Sequence, residues 1–413
     1  MQKHAALSPS SLLFPLALVL FEFSVYIAND MIQPGMLEVV REFGVGANWV
    51  PTSMTGFLLG GALLPWLIGP LSDHLGRRPV MLSGVVFFIL TCLATFLSHD
   101  IVSFITLRVL QGIGLSFISA VGYATIQEAY EETAAVRVTA LMANVALIAP
   151  LVGPVAGAML IGVWPWRMSF GLIAAISLVS FFGLLATMPE TVERSGSRFS
   201  LVRLAGDYRK VFANGRFVAS ALCIPLLALP LLGWIALSPV MLIEQSGMTV
   251  MAYGLWQIPV FGSLILGNLF LVKFAGNWPL GHSVSVGRWP ALAGVALIVA
   301  GGLVTDVPQY FLIAGMCLIS FGEGLAFAVL YRFALMATDV AKGVVAAGMT
   351  MLSMIVYASG IEVMKKVFLF YGYGGYALAV LAFMLVFVQV SRRMVGIAMA
   401  ERAPGGRLAE DVA

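Results

Sequence analysis

Charge is scarce in this chain. Only 10% of its 413 residues are Asp, Glu, Lys or Arg, against about 25% in soluble domains. Cysteine is scarcer still. Cys92, Cys223 and Cys317 all fall inside apolar runs, which excludes a disulfide framework. The four histidines, His4, His74, His99 and His282, are scattered without ligand spacing, so no zinc site is expected. There is no His-Glu-x-x-His, no nucleophile elbow and no coherent Ser/His or paired-Asp arrangement, which argues against an enzyme. The first apolar run follows a weak basic region, Lys3, and has no small-residue cleavage site behind it. It is therefore expected to stay in the protein as a helix and not to act as a signal peptide.

What is present is hydrophobic: 60% of the chain. Apolar runs of about 20 residues recur from end to end, the pattern of an all-α polytopic membrane protein. A β-barrel would show short alternating segments instead. Twelve spans are expected, near 11–36, 48–70, 79–97, 101–122, 136–161 and 166–187, then 216–240, 252–274, 288–304, 308–333, 343–366 and 371–391. They divide into two six-helix bundles, 1–188 and 216–393. A polar linker, 189–215, joins them and is suited to a short surface helix. A tail, 394–413, is expected to be disordered. With cytoplasmic termini most of the Lys and Arg fall on the cytoplasmic side, including Arg77, Arg78, Arg137 and the Arg392-Arg393 pair, as the positive-inside rule requires. The halves echo each other at Pro51/Gly60 and Pro259/Gly267, a hint of a rocking transporter with a central site.

The first span carries two acids, Glu22 and Asp30. Each costs roughly 2.5–3.5 kcal/mol at the bilayer centre on insertion scales, so intramembrane acids read first as functional. On a helix Tyr26 lies four residues from Glu22, Asn29 seven and Asp30 eight, so the four form one polar stripe. A structural polar seam is the competing reading. Arg108 lies inside the fourth span, in Leu107-Arg108-Val-Leu-Gln111-Gly112. A guanidinium keeps its proton and needs a partner. Arg108 sits roughly 10 Å from the outer end of its span, at the depth of Asp30, with Glu22 roughly 12 Å further in. Asp30 is therefore expected beside Arg108 and Glu22 nearer the midplane. Glu323 stands mid-way along the tenth span, in Ser320-Phe-Gly322-Glu323-Gly324. It is either a third titratable site or a partner of Arg332 or Lys342. Glu362 is followed at pairing distance by Lys365 and Lys366.

Three motifs carry a family resemblance. The stretch after the second span, Gly69-Pro-Leu-Ser-Asp73-His-Leu-Gly76-Arg77-Arg78-Pro79, resembles the signature loop of the major facilitator superfamily. There it acts as a latch, with Gly76 suited to a tight turn. The Arg108 stretch resembles the buried-arginine motif of proton-linked members. The fifth span, Asn144 to Ala158 with Pro150, Gly153, Pro154 and Gly157, resembles the antiporter motif of drug exporters, although Ala158 stands where that motif has glycine. Taken with Ile32-Gln-Pro-Gly35, Trp49-Val-Pro-Thr-Ser-Met54, Thr139-Ala-Leu-Met-Ala-Asn144, Trp166-Arg167, Pro189-Glu190-Thr191, Trp234-Ile-Ala and Lys342-Gly343, nearly the whole chain is similar to the MdfA-type multidrug/proton antiporters.

The resemblance implies a twelve-helix major facilitator fold in a bacterial inner membrane. It implies a monomer that exports lipophilic neutral and cationic drugs against protons and needs no cofactor beyond the proton gradient. It assigns proton and drug recognition to Glu22, Asp30 and Arg108. It assigns pocket lining to Tyr26, Asn29, Met54, Gln111, Met142, Asn144, Ala146, Leu231 and Ile235. Glu323 departs from it. A proton-coupled solute symporter and a monovalent cation/proton exchanger stay open as alternatives.

Overall fold

The structure is a computed structural model. It describes residues 9–192, 201–274, 278–279, 281–304 and 308–400, and among these there is no β-strand. In chain order the helices are α1 (Pro9–Asp30), α2 (Met36–Glu42), α3 (Val50–Leu63), α4 (Pro65–Leu75), α5 (Arg77–Ala94), α6 (Ile101–Gly112), α7 (Gly114–Phe117), α8 (Tyr123–Ala129), α9 (Glu132–Ile161), α10 (Arg167–Thr187), α11 (Leu201–Ala213), α12 (Gly215–Ser238), α13 (Val250–Phe274), α14 (His282–Val304), α15 (Pro308–Leu335) and α16 (Lys342–Ala400). Wider π-helical turns, Ile118–Gly122 and Pro239–Gln245, follow α7 and α12.

Among the described residues nine helices are long and apolar enough to cross a membrane, or ten if α3 and α4, bent by 44°, make one span. Helix α16 is broken at Gly372, whose φ is +60°, so it supplies both of the last two expected spans. Helix α9 covers the fifth, with an apolar portion at Ile148–Ile161. The α3–α4 bend has a local cause. Leu64 precedes Pro65, and a residue before proline is pushed out of the helical region. Its φ and ψ are −120° and 1°.

Two details differ from the expectation. Gly69–Leu75 was expected as a loop and is helical, because α4 continues the second span; only Gly76, at φ +106°, breaks it. Met394–Ala400 was expected within an irregular tail and continues α16, while 401–413 lies outside the described residues. In the linker, Leu201–Ala213 is helix α11, and residues 193–200 lie outside the described residues.

Packing divides the chain into two compact units. The first comprises Met1–Asp207, Ile235–Ile258 and Ala346–Glu362, and the second Tyr208–Trp234, Pro259–Val345 and Val363–Ala413. In the first unit α1 packs on α9 and α10, and α3 on α6. Small residues set these contacts. A Cβ at Gly60 would run into the Val109 carbonyl, and one at Gly112 into the Phe57 carbonyl, so α3 and α6 touch backbone to backbone. Such approach is how helices associate where lipid removes the hydrophobic incentive.

Candidate functional site

The site is built around Arg108, which has no exposed surface. The α3–α6 crossing brings Ser53 and Phe57 to it from α3. Arg108 donates through Nε to Ser53 Oγ at 3.2 Å. Its Nη1 donates to the Ala28 carbonyl at 3.0 Å and to Gln111 Oε1 at 2.8 Å. Its Nη2 donates to Asn29 Oδ1 at 3.3 Å. The guanidinium also lies 4.9 Å from the centre of the Phe57 ring and 5.7 Å from that of Phe170, within the range of cation–π attraction. Gln111 is fixed in turn by α5 and the turn after it. Its Nε2 donates to the Thr91 carbonyl at 3.3 Å and to Thr95 Oγ1 at 3.0 Å.

Asp30 is 3% exposed and makes no direct ion pair with Arg108. Asn29 stands between them: its Nδ2 donates to Asp30 Oδ1 at 3.1 Å while its Oδ1 accepts from Arg108. The end of α1 is held against α9 by the prolines' neighbours. A Cβ at Gly153 would come within 2.7 Å of Asp30 Cβ, and one at Gly157 would strike the Met31 carbonyl. Pro150 is half-buried and Pro154 buried in the same stretch. Ridged by two prolines, this part of α9 is fitted to the carboxylate end of α1.

Two turns deeper, Glu22 is fully buried. Its Oε1 accepts from Tyr123 Oη at 3.0 Å, and its Oε2 has no hydrogen-bond partner among the described residues. Tyr123 opens α8 directly after the π-helical turn. Such turns shift the face a helix presents and recur at functional sites. Tyr26 is half-buried on α1 between the two acids. Met54 on α3 and Met142 on α9 are buried. Asn144 and Ala146 lie on α9, and their side chains are outside the described residues. Ile235 is buried in the first unit and Leu231 in the second, both on α12.

An ion-paired cluster surrounds the turn at Gly76. Arg77, 8% exposed, pairs with Asp73 at 2.5 Å and with Glu128 at 2.8 Å. It also donates to Ser72 Oγ at 2.5 Å and, at 3.4 Å, to the Gly69 carbonyl. Glu190 caps α5: Oε1 accepts the Arg77 backbone N–H at 2.9 Å and Oε2 that of Arg78 at 3.2 Å. An acid there faces the positive end of the helix. Gly76 is required by its positive φ; a Cβ there would also crowd Glu190 Oε2, at 2.5 Å. Arg78 donates to the Leu185 carbonyl at 2.6 Å.

Glu323 is 6% exposed on α15. It pairs with neither Arg332 nor Lys342; Lys342 Nζ donates to the Leu335 and Thr338 carbonyls. Glu362 accepts from Thr52 Oγ1 at 3.3 Å. Ser53, Phe57 and Phe170 contact Arg108, Tyr123 contacts Glu22 and Glu128 contacts Arg77, and sequence reasoning assigned none of the five.

The family model described as Major Facilitator Superfamily matches residues 18–361. The chain belongs to the major facilitator superfamily. Within that superfamily it is 48% identical over 409 residues to the Multidrug transporter MdfA of Edwardsiella ictaluri, covering 98% of this chain and all of that one. It is 51% identical over 370 residues to the Multidrug transporter MdfA of Escherichia coli, covering 90% of each. Solved structures of low identity share this fold. A bacterial homologue of the human lysosomal transporter Spinster, solved inward-facing and unoccupied, aligns with a TM-score of 0.72 at 15% identity, covering 95% of this chain and 98% of that one.

Proposed function

We propose that this chain is a proton-driven exporter of lipophilic neutral and cationic compounds. It works in the bacterial inner membrane with both termini cytoplasmic, and it uses no cofactor. The observation that carries the reading is the stripe on α1. Two buried acids lie about 12 Å apart along one helix, one joined through Asn29 to a buried arginine and the other held by Tyr123. The likeness to proteins named multidrug transporters over nearly the whole chain supports export over solute uptake. The mostly apolar α12 and α13 suit lipophilic cargo better than a sugar or an amino acid.

Protons and drug compete. When the site faces outward, protons load Glu22 or Asp30 and the drug leaves. When it faces inward, the protons leave and the ionised acids favour the drug, a cation most of all. Exchange of Asn29 for Asp30 as the partner of Arg108 changes the proton affinity of that acid, since a nearby guanidinium favours the carboxylate. Buried methionines such as Met54 and Met142 suit a pocket that repacks around varied ligands. Around Gly76, the Arg77 cluster latches one conformation.

The test is proton release from detergent-purified protein on adding a neutral drug and, separately, a lipophilic cation. Release with both, lost in Glu22→Gln or Asp30→Asn, supports direct competition. Drug-dependent release that persists when both acids are amides would falsify it. Proton flux driven by a monovalent cation without any drug would favour cation exchange instead.

A further inference from the structure

The second unit contains an acid that the export mechanism does not use. Glu323 lies midway along α15, and its Oε2 is enclosed and accepts no hydrogen bond from any described residue. None of the ion pairs among the described residues includes it. The glycines beside it explain its depth. A Cβ at Gly324 would lie 2.7 Å from the Asn268 backbone nitrogen, and one at Gly322 would lie 3.1 Å from Ala291 Cβ. The backbones of α13 and α14 therefore press against α15 on either side of the carboxyl. One turn earlier on α15, Ser320 Oγ is also enclosed without a partner among the described residues, and the i, i+3 spacing puts it on the face of Glu323.

The charged and titratable groups of the packed elements are turned elsewhere. On α14, Arg288 donates through Nε to Ser391 at 3.1 Å, and its enclosed Nη2 reaches no acceptor among the described residues. His282 packs on the Trp278 ring. On α13, Lys273 Nζ lies 5.6 Å from the Phe274 ring. On α15 itself, Arg332 is nine residues away, about 13 Å along the axis, and Cys317 and Tyr331 are neutral groups. On α16, Lys342 serves two carbonyls, and the Tyr376 hydroxyl is buried without a partner among the described residues. An ionised carboxylate without donor or counter-charge is strongly disfavoured inside protein, whereas the protonated acid is neutral and gains a donor hydrogen.

We infer that Glu323 is a second proton-binding site, separate from the acids of α1. It holds its proton while α13, α14 and α15 are packed as here and exchanges it with water when that packing opens. The ligand is the proton itself, so the inference stands whether or not the chain exports drugs.

The experiment is an infrared pH titration of full-length, detergent-purified protein, reading the carbonyl stretch of protonated carboxylic acids. The background is Glu22→Gln with Asp30→Asn, which silences the acids of α1. Above about pH 6, where the solvent-exposed carboxyls are already ionised, one titrating protonated-carboxyl band is expected in this background, and it should vanish when Glu323→Gln is added. Superimposable titrations of the double and triple variants would overturn the proposal. Should the triple variant fail to fold, Glu323→Asp replaces it. A shorter side chain shifts the titration midpoint of that band if Glu323 carries the proton, and an unmoved midpoint overturns the assignment. Drug-dependent proton release plays no part in this readout, so failure of the exporter reading and failure of this one are separable.

Discussion

Gly112→Ala tests whether the α3–α6 crossing seats Arg108. Two effects oppose each other. Alanine is the better helix former by about 0.8–1 kcal/mol. Against this, its Cβ would lie 2.8 Å from the Phe57 carbonyl carbon and 3.1 Å from the Gly61 nitrogen. These are backbone atoms and cannot rotate aside, so α3 must move. Overpacking of this kind costs about 1–3 kcal/mol. The same movement carries Ser53 away from Arg108, a bond already 3.2 Å long, and a hydrogen bond to a charged group contributes about 1.5–3 kcal/mol. The sum is a net loss of about 2–5 kcal/mol, taking the overpacking and hydrogen-bond costs together against the helix gain.

Gly262→Ala is the control, since nothing lies within 4 Å of the added carbon. The same chemical change should there stabilise by about 0.5–1 kcal/mol. Thermal unfolding can be followed with a thiol-reactive dye, because Cys92 and Cys223 are buried in the folded protein. Membrane proteins of this size unfold irreversibly in many cases, so the midpoints are ranked at one scan rate. Gly112→Ala should melt well below wild type and Gly262→Ala at or above it. If Gly112→Ala melts with Gly262→Ala, the account of the crossing is wrong.

Tyr123→Phe should weaken drug-dependent proton release, and in the Glu22→Gln background it should add little; a double-mutant cycle on drug affinity reads the coupling, and additive effects would show that the 3.0 Å contact is idle. Glu190→Ala should lower the unfolding midpoint by the loss of a two-bond cap, about 0.5–2 kcal/mol, with Glu190→Gln intermediate because it keeps an acceptor but loses the charge. Asp100 caps α6, accepting the Ser103 N–H at 2.9 Å. That backbone bond holds its carboxyl below the ordinary range. A depressed carboxylate contributes stability that is full above its unfolded value, near 3.9, and fades as pH falls through the folded value. Asp100→Ala should therefore melt below wild type at neutral pH, and the gap should close as the medium becomes strongly acidic.

Much of the site could be read from the chain because its parts violate the membrane's rules. Acids and an arginine inside apolar runs stand out, and counting turns put Asp30 and Arg108 at one depth. The intervening Asn29 did not follow from depth, since a side-chain bridge depends on rotamers and not on helical rise. Tyr123 was hidden by the π-helical turn, which resets the face that a count of 3.6 residues per turn would assign. Ser53, Phe57 and Phe170 look like ordinary span residues until the glycine crossing and α10 bring them to the guanidinium. Glu190 was visible only as part of a motif. Its role as a helix cap requires the chain 113 residues away to lie beside it. For Glu323 the sequence offered two fates, and the structure shows no pairing with Arg332 or Lys342 among the described residues, because Lys342 is turned to backbone carbonyls.

The cap at Glu190 also constrains how the chain can be divided in the laboratory. A fragment stopped at the end of α10 would lose the acid that receives the Arg77 and Arg78 amides, together with Thr191, whose hydroxyl bonds Glu128. Two-piece expression, or a reporter inserted between the halves, should leave the chain intact through Val192. A cut a few residues earlier would remove part of the folded first unit while seeming to fall in a connector.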